Sequence, residues 1–228
     1  MADGMRRRMS GNMRFCLDVL LFVFITTFFK CHLISVDYHV WGGLVFFGFS
    51  LWHVWLNRKW LTGFGRRKKG WRDWGNLLFL LVWLAMIITG ILCARQLGIG
   101  WFFLKPWHKF LGAISLLLLA FHISCHWAYL RENILRRCPS LRRIPHTLGA
   151  ALLAGTLCFG FWSFADSGFG KWISAPFAAP APAPPSGDGS TRKKHQTQPF
   201  HPAKVSKYMA ESAAMIYACA YMMRKKQE

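Results

Sequence analysis

Two apolar segments decide the fold of this chain: HVWGGLVFFGFSLWHVWLN (39–57) and HKFLGAISLLLLAFHISCH (108–126). His39 and His53 are fourteen residues apart, and so are His108 and His122. On an α-helix, fourteen residues give nearly four turns, with a rise of ~21 Å and a residual rotation of ~40°. Each pair therefore shares one helix face, and two such helices side by side can oppose two histidines at each of two levels.

The two segments form an internal repeat, related by a shift of 69 residues, and both read H-x3-G-x9-H. Gly43 and Gly112 are equivalent positions in this repeat, and Asn57 falls on His126. A glycine one turn from a histidine lets a flat macrocycle approach the helix backbone. Glycine also allows close contact between helices in membranes, and the pattern is compatible with both roles.

The composition indicates an integral membrane protein. The 228 residues are 54% hydrophobic, yet the formal net charge is +20. Because the charge lies between long apolar runs, it is typical of loops between membrane spans. No recognition-helix or Gly-aromatic motif points to a nucleic-acid partner. We therefore expect membrane lipid around this chain and no bound nucleic acid.

Five apolar segments have close to the ~20 residues that a helix needs to cross the hydrocarbon core. They cover residues 15–29, 38–56, 77–97, 107–130 and 147–165. A Pro/Ala/Gly-rich and basic linker follows over 166–205, and residues 206–228 have the composition of an amphipathic helix that would lie on a membrane or a partner. The fifth span and the tail therefore lie outside the repeat.

The distribution of basic residues predicts the orientation of the spans. Sixteen Lys and Arg lie in the N-terminus (1–14) and in the loops after the second and fourth spans, the latter covering 131–146. The alternate loops contain only three, Lys30, Arg95 and Lys105. The positive-inside rule then places the N-terminus in the cytoplasm of a bacterial inner membrane and the C-terminal tail outside. The second and fourth spans run in parallel, so His39 matches His108 in depth.

Two opposed histidines can hold a haem iron from above and below. A zinc ion needs converging ligands, which histidines ~21 Å apart cannot supply. No CxxCH motif is present for a covalent c-type haem. The sequence thus predicts two non-covalent b-type haems, with His39, His53, His108 and His122 as iron ligands. The alternative is that these histidines only hydrogen-bond to neighbouring helices.

Several other residues are candidates near these levels. His126 lies one turn beyond His122 and is an alternative inner ligand. Arg95 and Lys105 are candidates for pairing with haem propionates, or they are ordinary charges that set the topology. Asp18, in the first span, either takes up protons from the cytoplasm or has a simpler role, in helix capping or in placement at the membrane interface.

The segments WHKFLGAISLLLLAFHISCHWAYL (107–130) and HVWGGLVFFGFSLWHVWLNRKWL (39–61) also carry a resemblance. They resemble the ligand helices of the membrane cytochrome domain associated with flavinylated electron-transfer proteins, in which a histidine, a glycine and then a second histidine recur. The resemblance covers about residues 12–130. It implies that the four histidines are axial ligands and that electrons pass between quinones and flavin- or metal-bearing partners.

These observations predict an all-α integral membrane fold with a four-helix haem-binding bundle over 15–130, a fifth transmembrane helix and a flexible C-terminal tail. The expected function is a di-haem cytochrome that relays electrons between a quinone/quinol pool and a partner redox protein, most simply a flavin-bearing one. No nucleotide or flavin motif is present, so we expect an electron-transfer subunit rather than a complete enzyme. A membrane ferric reductase and a non-redox structural anchor are the alternatives.

Overall fold

The computed structural model describes residues 2–28, 34–66, 68–178 and 202–225. Within these ranges the regular structure is entirely helical and contains no β-strand. The all-α prediction is therefore confirmed for the described part of the chain. Residues 179–201, which form most of the predicted linker, lie outside it.

Nine α-helices make up this structure. They are α1 (Ala2–Phe28), α2 (Val36–Leu56), α3 (Arg58–Thr62), α4 (Trp71–Cys93), α5 (Lys105–Cys125), α6 (Trp127–Arg137), α7 (His146–Asp166), α8 (Phe169–Ile173) and α9 (Pro202–Lys225), as counted over the described ranges. Short 3₁₀ turns cover Arg95–Leu97, Phe102–Leu104 and Pro139–Arg143. The fourth apolar segment is therefore divided, since α5 ends at Cys125 and α6 begins at Trp127.

Local sequence sets the ends of the helices that carry the repeat. The hydroxyl of Ser35 accepts the backbone N–H of Tyr38 at 2.9 Å, which caps the start of α2. A proline occupies the first turn of α5, where the missing N–H costs no helical hydrogen bond. The two helices that carry the histidine pairs thus begin just before the first histidine of each pair.

Four helices are long and apolar enough to cross a membrane: Gly11–Phe28, Trp71–Cys93, Phe102–Cys125 and His146–Asp166. This set is compatible with an integral membrane protein. The helix α2 has 21 residues but does not belong to it, because tryptophan, histidine and glycine lower its hydropathy. The predicted span over 38–56 therefore forms a helix of sufficient length, and its crossing of the membrane stays a prediction.

The helices pack in a way that leaves a cavity at the centre of the bundle. The helix α1 packs on α2, α4 packs on α5, and α2 touches α4 less extensively. The helix α9 packs on α5, α7 and α1, and α8 packs on α5. The cavity between α1, α2, α4 and α5 is the space that the two histidine pairs enter.

The placement of α9 differs from the sequence-based prediction. Rather than lying on a membrane surface or a partner, α9 packs within the bundle, where Met215 and Ile216 are buried. Lys207 lies 3.4 Å from Asp166, at the end of α7, and the Tyr217 ring lies 5.6 Å from that of Trp127.

The helix α9 therefore runs antiparallel to α7 and returns to the end of the bundle where α5 terminates. The helix predicted over 206–228 is present as α9, but it packs against the bundle and is not part of a flexible tail. The location of this segment on the outer side stays a prediction. The helix α9 packs closely against α7 because the small residues Ala214 and Ala218 lie opposite Gly160.

The α7–α9 contact depends on Gly160, and we expect Gly160→Ala to destabilise the protein. A Cβ at this position would come 2.5 Å from the Ala214 carbonyl oxygen and 2.8 Å from the Ala218 Cβ, so the helices must separate. Such overpacking costs ~1–3 kcal/mol. The matched control is Gly155→Ala on the same helix, where a Cβ meets nothing within 4 Å. Thermal unfolding in detergent should show a lower Tm for Gly160→Ala than for Gly155→Ala; equal Tm values would contradict the packing.

Candidate functional site

A cavity of about 1940 Å³ lies between the helices, and all four histidines of the repeat line it. Pockets for one small-molecule ligand typically measure ~300–1,000 Å³. The cavity therefore has room for more than one such ligand. Its remaining lining is mostly apolar, from residues such as Phe46, Leu80 and Trp83.

The structure brings the histidines together in two pairs, each joining α2 to α5. The ring centroids of His39 and His108 are 6.0 Å apart, and those of His53 and His122 are 6.3 Å apart. A metal–imidazole bond of ~2 Å on each side, plus ~1 Å from each nitrogen to its ring centre, gives ~6 Å. Each pair thus has the separation expected for one metal atom held between two imidazoles. We call His39–His108 the outer pair and His53–His122 the inner pair.

Both histidines of α5 are oriented by α4. The Nδ1–H of His108 donates to the Met86 carbonyl oxygen at 3.0 Å. The Nδ1–H of His122 donates to the Asn76 side-chain oxygen at 2.9 Å. Histidines that bind a metal typically use their second ring nitrogen in this way, which fixes the tautomer and leaves Nε2 as the ligand atom.

His53, on α2, is contacted by a carboxylate instead. The Asp18 Oδ1 atom lies 2.9 Å from His53 Nδ1, and both side chains are 28% exposed. Asp18 lies well inside α1, which begins at Ala2, so helix capping does not explain it. Its observed role is a direct contact with a histidine of the inner pair.

The two glycines of the repeat face open space. A Cβ placed at Gly43 or Gly112 would meet no atom within 4 Å, and both residues line the cavity. Close helix contact therefore does not account for them. Gly90 on α4 behaves differently, because a Cβ there would come 2.9 Å from the His108 ring. Gly90 thus leaves space for the His108 ring to lie against α4, although no sequence motif predicts this role.

The cationic candidates also line the cavity. Arg95 and Lys105 both line it close to the outer pair, together with Lys109. The Arg95 guanidinium carbon lies 4.3 Å from the centre of the Phe102 ring, and the Lys105 Nζ lies 4.2 Å from it. These cations are therefore held at one end of the cavity, where carboxylate groups of a ligand would be stabilised.

His126 lies beside the inner pair. Its ring centroid is 4.8 Å from that of His122, and it also lines the cavity. It is the residue that separates α5 from α6. The structure thus places His122 opposite His53 and keeps His126 within reach as the alternative ligand. His146, at the start of α7, is exposed and lies outside this cluster.

In the described part of the chain, no group of three or more His, Cys, Asp or Glu residues could hold a metal ion. A site built from protein ligands alone, such as a zinc site, usually needs three or four of them. A haem iron receives four nitrogen ligands from the porphyrin, so two axial histidines complete its coordination. The two pairs, the open space at the glycines and the apolar lining therefore fit haem better than a bare metal ion.

No known protein family, no curated protein and no solved structure matches this chain. The resemblance of residues 12–130 to the flavinylation-associated cytochrome domain therefore stays a prediction. The chemical interpretation of the cavity rests on the residues that line it.

Proposed function

We propose that this chain is an integral membrane cytochrome that binds two b-type haems and relays electrons across the membrane. The observation that carries the proposal is the spacing of the two histidine pairs, 6.0 Å and 6.3 Å between ring centroids, inside one large cavity. The equal spacing of the pairs in sequence and the similar separation of their rings are both explained by two bis-histidine sites. A structural anchor would require neither.

The residues of this chain have distinct roles in the proposed site. Each histidine pair would hold one haem iron, and the α4 groups hold the α5 rings in position. Arg95 and Lys105 would neutralise propionates at the outer level, while Gly43 and Gly112 leave room for a macrocycle near the α2 and α5 backbones. When bound, each haem would supply a one-electron iron couple.

The proposed path covers much of the membrane. The two levels are separated by fourteen residues of helix, a rise of ~21 Å, compared with a hydrocarbon core of ~30 Å. The positive-inside bias supports an orientation with the N-terminus in the cytoplasm of a bacterial inner membrane. The outer pair then lies near the external surface and the inner pair near the cytoplasm.

Electrons must enter and leave through other molecules, because the chain carries no flavin or nucleotide motif. A quinone/quinol pool in the lipid and a flavin- or metal-bearing redox protein at the surface are the proposed partners. The chain is in this view an electron-transfer subunit of an oxidoreductase system.

The test is the cofactor content of the purified full chain. We expect two haems per chain, both six-coordinate and low-spin, and both extracted by acid–acetone because no thioether attachment is available. Reduced-minus-oxidised spectra and haem quantified per chain measure this directly. A colourless protein would favour the structural anchor, and turnover of ferric iron by the purified chain alone would favour the ferric reductase.

A further inference from the structure

The partners of His53, His108 and His122 differ in charge. His53 is contacted by the Asp18 carboxylate at 2.9 Å, whereas His122 donates to the neutral amide of Asn76. In the outer pair, His108 donates to a neutral backbone carbonyl. Among these three contacts, the inner pair therefore has the one that involves an acidic side chain.

The wider lining of the cavity has the same asymmetry. At the inner end, two cations and two carboxylates line it: Arg14, Arg72, Asp18 and Asp73. At the outer end, three cations line it and, among the described residues, no carboxylate: Arg95, Lys105 and Lys109. The lining of the inner end is thus formally balanced, whereas the lining of the outer end is positive. Asp37, in the first turn of α2, accepts a hydrogen bond from the cavity-lining Gln96 at 2.8 Å but does not itself line the cavity.

We propose that Asp18, acting through His53, lowers the reduction potential of the inner haem, so that an electron is more stable on the outer haem. This inference rests on the proposed function. Ferric iron carries one more positive charge than ferrous iron, so a nearby carboxylate stabilises the oxidised state. Contacts of this kind to an axial ligand are an established means of tuning a metal, and a low-dielectric interior strengthens them.

This charge asymmetry sets the favoured direction of electron transfer between the two haems. The three cations at the outer end stabilise the reduced state there, and Asp18 stabilises the oxidised state at the inner end. With both haems bound, transfer of one electron from the inner to the outer iron would oxidise the first and reduce the second, with no bond or proton exchanged. Downhill flow therefore runs from the cytoplasmic level towards the outer level, with a reduced partner redox protein or a quinol as the donor.

The experiment is an optical redox titration of the full chain with its haems, comparing the wild type with Asp18→Asn and Asn76→Asp. Asp18→Asn removes the charge but keeps the shape, and should raise one of the two midpoint potentials. The expected change is about tenfold in the reduction equilibrium constant, or ~59 mV for one electron. Asn76→Asp places a carboxylate on the other imidazole of the same pair, and should lower that same potential by a similar amount.

The control is Glu132→Gln, which removes a charge from an exposed pair with Arg142 that does not line the cavity. It should leave both potentials unchanged. If Asp18→Asn and Asn76→Asp move neither potential, or move different ones, the inference is overturned while the haem content still supports the proposed function. If Asp18→Asn loses haem, Asn76→Asp alone tests whether a carboxylate beside an imidazole of the inner pair lowers that midpoint potential. Absence of haem from the wild type would instead contradict the proposed function.

Discussion

Replacing His39 or His108 with alanine should remove one and the same haem, and replacing His53 or His122 should remove the other. The ring separations of 6.0 Å and 6.3 Å pair the residues in this way. Crossed pairing would require one iron to reach ligands separated by ~21 Å of helix rise. Each single substitution should therefore lower the haem content from about two per chain to about one, as measured by haem quantification.

The double variant His39→Ala with His108→Ala gives the sharpest form of this prediction. It should lose little more haem than either single variant, because the two residues act as a unit and their effects are not additive. His146→Ala, on an exposed histidine outside the cavity, is the control and should keep both haems. If His39→Ala and His108→Ala changed different haems in redox titrations, the proposed architecture would be wrong.

The same series decides between the two inner candidates. His122→Ala should remove the inner haem, whereas His126→Ala should leave it in place because His122 is the residue opposite His53. The reverse result would make His126 the inner ligand, and the repeat, which matches His126 with Asn57, would have misled the assignment.

The pairing of histidines could be anticipated from the sequence because helix geometry fixes what a fourteen-residue spacing means. Equal spacing in two segments, together with a charge bias that makes the segments parallel, specifies which residues share a level. The structure brings together His39 with His108 and His53 with His122. Which histidines share a level depends on their depth along the helices, so it can be predicted without knowing how each helix is rotated about its axis.

The partners of the histidines could not be anticipated in the same way. The contacts between Asp18 and His53 and between Asn76 and His122 depend on the rotation of α1 and α4 about their axes. In a soluble protein an apolar stripe would set that rotation, but helices in lipid are apolar nearly all round. No pattern in the sequence therefore shows which face of α1 or α4 meets the cavity.

The location of α9 could not be anticipated either, for a different reason. Its lysines and its glutamate resemble those of a surface helix, so composition favoured an interfacial position. In the structure, Glu211 is 1% exposed and lies 3.4 Å from Lys207, which in turn lies 3.4 Å from Asp166. A local group of charges at one end, and a close fit against Gly160 further along, allow this polar helix to pack inside the bundle. These contacts join helices whose residues are more than forty positions apart, so no local sequence pattern predicts them.

The glycines of the repeat supply the second prediction with a large effect. We expect Gly43→Leu and Gly112→Leu each to lose the outer haem while the protein still folds. Each glycine is one turn from a histidine of the outer pair and faces open cavity, so a leucine side chain has space in the protein alone but would overlap a bound macrocycle. Overlap that costs ~1–3 kcal/mol corresponds to binding weakened by roughly 5- to 150-fold. Titration of haem-free protein with haemin measures the loss.

The matched control is Gly48→Leu. Gly48 lies on α2 and is exposed, and a Cβ placed there would also meet nothing within 4 Å, but this residue does not line the cavity. The control variant should keep both haems, and all three variants should have similar Tm values before haem is added. If Gly43→Leu and Gly112→Leu bound two haems as tightly as Gly48→Leu does, the space beside these glycines would not be the haem site. Loss of the inner haem alone would mean that a macrocycle lies at a different level from the one the histidine pairs define.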